Sequence, residues 1–347
     1  MNACVQAGTP EVIDVLVPTC NRPAALAVTL ATLGAQSWAA LRIVIADQSD
    51  GADACARAEV QAVLRYLRAT GRSVETHRRP LRRGMAEQRA FLLAQAGARY
   101  CLFVDDDVIL EPDLVARLHA AIRSEGCGFV GSALHGLSYL GERRPLQETI
   151  EFWDGPVTPE AVRPGTAAWA RHHLHSAANL FHVQSSLLDK GPDGRASTQQ
   201  TRRYKVAWVG GCVMFDRAML RAASGFDFWA ALPSQHCGED VLAQQRVMAR
   251  FGGCAILPSG AYHMELPTTV TARAIDAPYV LPLGAQAGGP PAAQTASRPD
   301  SQLDSQPDSQ TNSQPELKPR SQPELQQAVC SAAQPVRDPS PQPGVTP

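Results

Sequence analysis

The chain has 347 residues, 44% of them hydrophobic and 19% charged, and a formal net charge of −1. That length allows one large domain or two ordinary ones, and the near-even charge balance argues against a dedicated nucleic-acid binder, which usually carries a basic excess. No stretch approaches the ~20 unbroken apolar residues of a spanning helix. The opening residues, MNACVQAGTPEVIDVLVP, place no basic segment ahead of an apolar core, so no secretory signal is expected and a cytoplasmic location is the default.

In chain order, short apolar runs predict strands at VIDVLV (12–17), LRIVIA (41–46), YCLFV (100–104), CGFVGSAL (127–134), VAWVGGCVMF (206–215) and 254–257. Runs this short and apolar suit strands buried on both faces. Between them lie helical patterns. Residues 84–97 place Ala86, Ala90, Leu93, Ala94 and Gly97 on one face, and residues 112–123 place Leu114, Val115, Leu118, Ala121 and Ile122 on one face, with Pro112 near the start. A third helix opens at Gly238-Glu239-Asp240, with Val241, Leu242, Met248 and Phe251 apolar. This alternation predicts an α/β fold with a mostly parallel sheet and flanking helices.

Residues 1–283 read as one domain, within which 135–203 matches no motif and is treated as an insertion that could shape the acceptor side. From Gly284 to Pro347, 64 residues contain no Phe, Trp or Tyr, Ser-Gln recurs every four residues from 301 to 313, and QPEL occurs at 314–317 and 322–325. Such a segment buries too little apolar surface to offset its chain entropy, so a disordered Ser/Gln/Pro-rich tail is expected over 284–347. The nine cysteines are odd in number and include no C-x-x-C pair, and a disulfide framework is not expected in a chain this long and cysteine-poor.

In sheets of this kind, ligands bind beyond the carboxyl ends of the strands. Three polar clusters stand there: Pro-Thr-Cys-Asn-Arg-Pro (18–23), Asp-Gln-Ser-Asp (47–50) and Asp105-Asp106-Asp107. Adjacent carboxylates repel one another, and a divalent cation removes that cost. Oxygen ligands suit Mg²⁺ or Mn²⁺. The competing reading is a solvated acidic loop ahead of a helix. Glu239 and Asp240 can equally be helix-start acids, and a lone His263 is more often structural than a ligand.

His172, His173, His175 and His182 suggest zinc, but their spacing favours an ordinary helix or loop. Arg78, Arg79, Arg82 and Arg83 form a basic cluster that could be a solvated face or could attract phosphates or an anionic membrane; phosphates are favoured because the cluster precedes the helix facing the cleft. Trp153, Trp169 and Trp229 could stack on sugars, with core packing the more common use.

The order P-T-x-N-R-P, D-x-S, hydrophobic-DDD-hydrophobic, G-E-D and then His, spread over residues 12–265, resembles the family-2 glycosyltransferases of the GT-A fold. The resemblance implies a Rossmann-like, mostly parallel sheet with flanking helices. It also implies an inverting transfer of a sugar from a nucleotide-diphosphate donor, most often a UDP-sugar, to an acceptor hydroxyl. Pro18, Thr19 and Arg22 would lie in the first nucleotide-binding loop, Asp47 would meet the base, and Arg89 would lie near the nucleotide. Asp105, Asp106 and Asp107 would form the acidic motif, in which Asp105 approaches ribose and metal and Asp107 ligates a Mn²⁺ or Mg²⁺ ion, with His263 completing the metal site. Asp240 would be the catalytic base and Glu239 its companion. The family usually has Gly where Gln48 stands and Asn where Ala90 stands.

Expected partners are a nucleotide-sugar donor and a glycan, lipid-linked or small-molecule acceptor, with no nucleic acid; any membrane contact would be peripheral, at the inner face. Three other functions compete. LFVDDDVIL approaches the strand-end nucleophile of haloacid-dehalogenase-type phosphatases, but Ile109 takes the Thr/Val place. A sugar nucleotidyltransferase would need a G-x-G-x-R start. A catalytically inactive nucleotide-sugar-binding domain would have no need of intact Asp107, Asp240 and His263. A processive membrane synthase is disfavoured, since its Q-x-x-R-W motif is missing; the nearest segment is Gln244-Gln245-Arg246-Val247.

Overall fold

A computed structural model of the chain describes residues 11–139, 141–142, 150–174, 201–270 and 273–284. The expected tail beyond Gly284, the rest of the 135–203 insertion, His175 and His182 lie outside the described residues.

The first half alternates as expected. Strand β1 (Ile13–Thr19) leads to helix α1 (Pro23–Gly34), β2 (Leu41–Asp47) to α2 (Ala58–Ala69), and β3 (Ser73–Arg78) to α3 (Met85–Gln95). Then come β4 (Tyr100–Val104), a short β5 (Val108–Leu110), α4 (Leu114–Glu125), β6 (Phe129–Gly131) and β7 (His135–Gly136). Strands β8 (Arg202–Tyr204) and β9 (Cys212–Asp216) precede α5 (Arg217–Ala222) and α6 (Glu239–Phe251). Strands β10 (Gly253–Leu257) and β11 (Ala261–His263) and a one-turn α7 (Ala277–Val280) complete the described elements.

The main sheet runs β3-β2-β1-β4-β9-β6-β10-β8. Only β9 and β8 oppose the other strands. A second sheet, β5-β11-β7, lies beyond the carboxyl end of β4 and pairs His263 with Val108 and with Gly136. Side chains alternate across the main sheet, so each central strand feeds two cores. Val15, Ile43 and Leu102 face one core with Leu26 and Leu30 of α1, Leu64 of α2 and Leu118 of α4. Leu16, Val44 and Phe103 face the other, with Leu93 of α3, Leu220 of α5 and Leu242 of α6.

Several expectations need correction. The strand expected over 206–215 begins only at Cys212, because Gly211 takes a left-handed φ of +71°. The run 127–134 yields a strand only at Phe129–Gly131. Helix α4 buries Leu114, Val115, Leu118 and Ile122 of the expected face, leaves Ala121 half-buried and adds His119. Helix α3 does not: Ala94 and Gly97 are exposed, and Glu87, Gln88 and Arg89 are buried with Leu92 and Leu93. The reason is position, since the first turns of α3 abut the cleft, where polar side chains find partners. The seven described cysteines are all free thiols.

Candidate active site

Strands β2, β1 and β4 are neighbours and parallel, so their carboxyl ends lie side by side. Thr19 and Asp47 close their strands in direct register, and Asp105–Asp107 follow β4. The three polar clusters therefore share one sheet edge.

The acidic loop is held from several sides. Thr19 donates its hydroxyl to Asp106 Oδ2 at 2.6 Å. From α1, the Thr29 hydroxyl donates to the Asp106 carbonyl at 2.8 Å and accepts the Val108 N–H at 3.1 Å. Arg22 Nη1 lies 2.6 Å from Asp107 Oδ2 and 3.3 Å from Asp106 Oδ1, and its other nitrogen donates to the Pro267 carbonyl. Burial pushes the Asp106 carboxyl up to about 6, with Thr19 and Arg22 offsetting part of that push. Pro18 is buried beside Thr19.

Asp107 meets His263 through the second sheet: Asp107 Oδ2 and His263 Nε2 are 3.4 Å apart, and the Met264 N–H donates to the Asp107 carbonyl. Burial works against ionisation of Asp107, but His263 and Arg22 outweigh it and hold the carboxyl below the usual range. Its hydrogen bond to Asp107 in turn raises the His263 pKa. A carboxylate oxygen and an imidazole nitrogen converging this way are donor types that Mn²⁺ accepts. Asp105 does not join them, because its carboxylate takes Arg89 Nη2 at 2.9 Å. Among the described residues, the only three His, Cys, Asp or Glu residues with ligand atoms within 4.8 Å of one another are Asp47, Asp53 and Cys55.

That group closes a turn. Asp47 accepts the N–H groups of Ser49 and Ala54, both at 2.7 Å, and Asp53 accepts that of Cys55. Burial raises the Asp53 carboxyl, and its hydrogen bond to Asp47 raises it further. The basic cluster serves the same loop. Arg78 donates to the Ser49 and Gly51 carbonyls, and Arg82 to the Gln48 carbonyl and Asp50. Arg79 pairs with Glu87. Three of the four arginines are thus engaged within the chain, so the expected attraction for phosphates is largely absorbed by the protein itself.

The second constellation reaches the first through Arg89. Its Nε donates to Glu239 Oε1 at 3.0 Å while Nη2 holds Asp105. Asp240 and Arg89 line one pocket, with Phe103, Val209, Gly211 and Phe226 among the other walls. Helix α6 starts after Gly238, whose φ is +72° and where a Cβ would run into Asp276. The helix N-terminus favours an ionised acid. Burial overrides that at Asp240, and with Glu239 beside it the carboxyl is pushed up to about 7. On the α3 side, the Ala86 N–H donates to His236 Nε2 and His236 Nδ1 donates to the Pro233 carbonyl, which ties α3 to the segment ahead of α6.

The glycosyl transferase family 2 model matches residues 14–185, which span β1, the acidic loop and much of the insertion. The chain belongs to glycosyl transferase family 2. None of the curated proteins matches it. Solved structures similar to this family-2 chain include S. aureus TarS 1-349 in complex with UDP-GlcNAc, 13% identical over 75% of this chain and 60% of that one, TM-score 0.46. Another is the mannosyltransferase PcManGT from Pyrobaculum calidifontis in complex with GDP-Man and Mn²⁺, 15% identical over 72% of this chain and 57% of that one, TM-score 0.41. The chain thus spans about 60% of the length of the solved chain it resembles in the first case, and slightly less in the second.

Within this family-2 chain, the predicted residues fall into two connected groups. Thr19, Arg22, Asp106, Asp107 and His263 form one, and Arg89, Asp105, Glu239 and Asp240 the other. Asp47 stands apart, 1% exposed and committed to its turn. Sequence reasoning missed Thr29, Gln88 and His236. Gln88 donates to the Ala46 carbonyl at 2.7 Å and to the Thr19 carbonyl at 3.3 Å; it lies opposite the apolar face read from sequence, so no local signal marked it. Among the described residues, no helix is long and apolar enough to cross a membrane. The His172 ring lies nearly parallel to that of Trp208, and His172 and His173 fall in a 3₁₀ segment, Ala167–Leu174.

Proposed function

We propose that the protein is an inverting, metal-assisted glycosyltransferase, with a nucleotide-diphosphate sugar as donor, UDP-linked by preference, and a hydroxyl as acceptor. The observation that carries this reading is the Arg89 bridge. It joins the acidic loop at Asp105 to Glu239, the neighbour of Asp240 in the chain, and Arg89 and Asp240 line one pocket.

In this reading, Thr19 and Arg22 line the nucleotide side, and Asp47 serves base recognition through the 48–54 loop that it pins. Asp107 and His263 hold the divalent cation, with Asp105 and Asp106 adjoining. When bound, the cation neutralises charge that builds on the departing diphosphate. Asp240 accepts the proton of the acceptor hydroxyl as that oxygen attacks the anomeric carbon, and a positioned base of this kind contributes about 10²–10⁴-fold. A carboxyl held near neutrality is suited to that task, because it is substantially ionised at working pH and still basic enough to take a proton. One displacement on the anomeric carbon inverts it.

The test is direct. UDP with Mn²⁺ should raise the melting temperature by mass action, and one member of a nucleotide-sugar panel should be hydrolysed slowly in a metal-dependent way. Release of phosphate from a generic phosphomonoester, with no response to nucleotide, would move the protein to the phosphatase class.

A further inference from the structure

Four rings gather where the insertion meets α7. The centroid of Trp169 lies 5.0 Å from that of Trp208 and 5.8 Å from that of Tyr279. The His172 ring stacks 6.1 Å from both indoles, at 26° to Trp169 and 16° to Trp208. This is not a sealed core. Both indoles are half-buried, and Tyr279 is 59% exposed.

Two anchors tie the cluster to the Asp240 pocket. Trp208 immediately precedes Val209, a wall of that pocket. The Gln244 side chain, one turn along α6 from Asp240, bonds both the N–H and the carbonyl of Val209 at 2.8 Å. On the other side, the chain carrying Tyr279 pairs with Cys237: the Cys237 N–H donates to the Ile275 carbonyl, and the Ala277 N–H to the Cys237 carbonyl, each at 2.9 Å. Cys237 directly precedes Gly238-Glu239-Asp240. The rings are thus carried by segments fixed to both flanks of the α6 N-terminus.

We propose that Trp169, Trp208 and Tyr279, backed by His172, form a binding platform for a saccharide ring of the acceptor, beside the Asp240 pocket. The inference rests on the transfer reading above and deepens it by naming the acceptor class. A pyranose has a face of C–H groups with slight positive charge, which matches the negative face of an aromatic ring, while its rim of hydroxyls needs polar partners. Charged side chains lie near these rings along the chain. Arg171, on the same 3₁₀ segment as Trp169, is paired with Glu151 and Glu160, and Lys205 also reaches Glu151. An acyl chain has no hydroxyls to set beside such ion pairs, so a sugar fits the surroundings better.

Saturation-transfer NMR on the full chain, with methyl β-D-glucopyranoside, maltose and chitobiose as probes, tests the platform. At least one of them is expected to bind saturably. Tyr279→Ala and Trp169→Ala should weaken that binding on the order of tenfold, as truncated aromatic anchors do, whereas Tyr279→Phe should keep it. The melting shift produced by UDP with Mn²⁺ should stay at the wild-type value in Tyr279→Ala, whose exposed side chain supports no core. Binding of none of the three sugars, or equal binding by Tyr279→Ala, overturns the proposal. So does a variant that loses adhesion to phosphatidylglycerol vesicles while keeping sugar binding. Failure of the UDP shift in the wild type would instead remove the donor reading and leave this binding result to be judged by itself.

Discussion

Arg89 and Glu239 stand 150 positions apart in the chain and meet at 3.0 Å, each side chain 7% exposed. The pair clamps the start of α3 to the start of α6, and the second arm of the same guanidinium reaches Asp105. One cation therefore serves Asp105 and Glu239 directly and Asp240 through space. Carboxylates outnumber it, and the buried Asp240 keeps its proton to a higher pH than a free carboxyl does.

Removing that cation should be costly. Arg89→Ala leaves Glu239 buried beside Asp240 without a counter-charge, and breaking one side of a buried pair typically costs about 3–5 kcal/mol. Urea unfolding should show the loss as a lower midpoint. Arg89→Lys should lose less, but not nothing, because an ammonium cannot fork between two carboxylates. A wild-type midpoint in Arg89→Ala would mean that the clamp is dispensable.

The pH profile of transfer should carry the Asp240 ionisation. Its carboxyl titrates at about 7 because burial, then Glu239, disfavours the charged form. A base works only when deprotonated, so the rate should rise with pH through about 7 and level off above it, with about a tenth of the maximal rate left one unit below. Asp240→Asn should lose about 10²–10⁴-fold in turnover and retain the UDP-dependent melting shift. A flat profile between pH 5.5 and 8.5 would exclude Asp240 as the base.

What could be read from sequence follows from what is local. The ends of β1, β2 and β4 were legible because an apolar run that stops abruptly at Thr or Asp marks the point where a buried strand leaves the core. Strand β3 was not, because SVETHR is a half-exposed edge whose polar residues hide the pattern. The buried Gln88 and Arg89 broke the α3 periodicity for a long-range reason, namely partners on β1, β2 and α6. Likewise nothing near Asp47 announced that two backbone N–H groups would claim its oxygens, and nothing near Trp208 announced a partner at Tyr279.

Asp106 predicts a second pH effect, this one on folding. Its carboxyl is held at about 6 by burial against an ordinary value of 3.8. A raised carboxyl pKa means that the folded state keeps its proton while the unfolded chain releases it. Its contribution is thus fully present below pH ~4 and is lost as pH rises through about 6, up to about 3 kcal/mol. In chelator, Asp106→Asn should abolish this part of the decline and unfold at a higher urea concentration than wild type at pH 7.5. Equal pH dependence in the two proteins would refute the assignment.

His263 allows the proposed cation site to be tested apart from turnover. With Mn²⁺ and UDP present, His263→Gln should shrink the melting shift, because losing an imidazole ligand weakens the site; a tenfold weaker site corresponds to about 1.4 kcal/mol less binding free energy. With chelator present, the same variant reports a different quantity. Asp107 raises the His263 pKa above 6.5 and His263 lowers that of Asp107. The charged pair therefore stabilises the fold fully below pH 6.5, down to the Asp107 range, and the benefit fades as pH rises through the folded His263 value. Wild type should exceed His263→Gln in melting temperature at pH 6 in chelator, and the gap should close by pH 9. A gap that stays constant with pH would assign His263 to packing, and an unchanged Mn²⁺–UDP shift would take it out of the metal site.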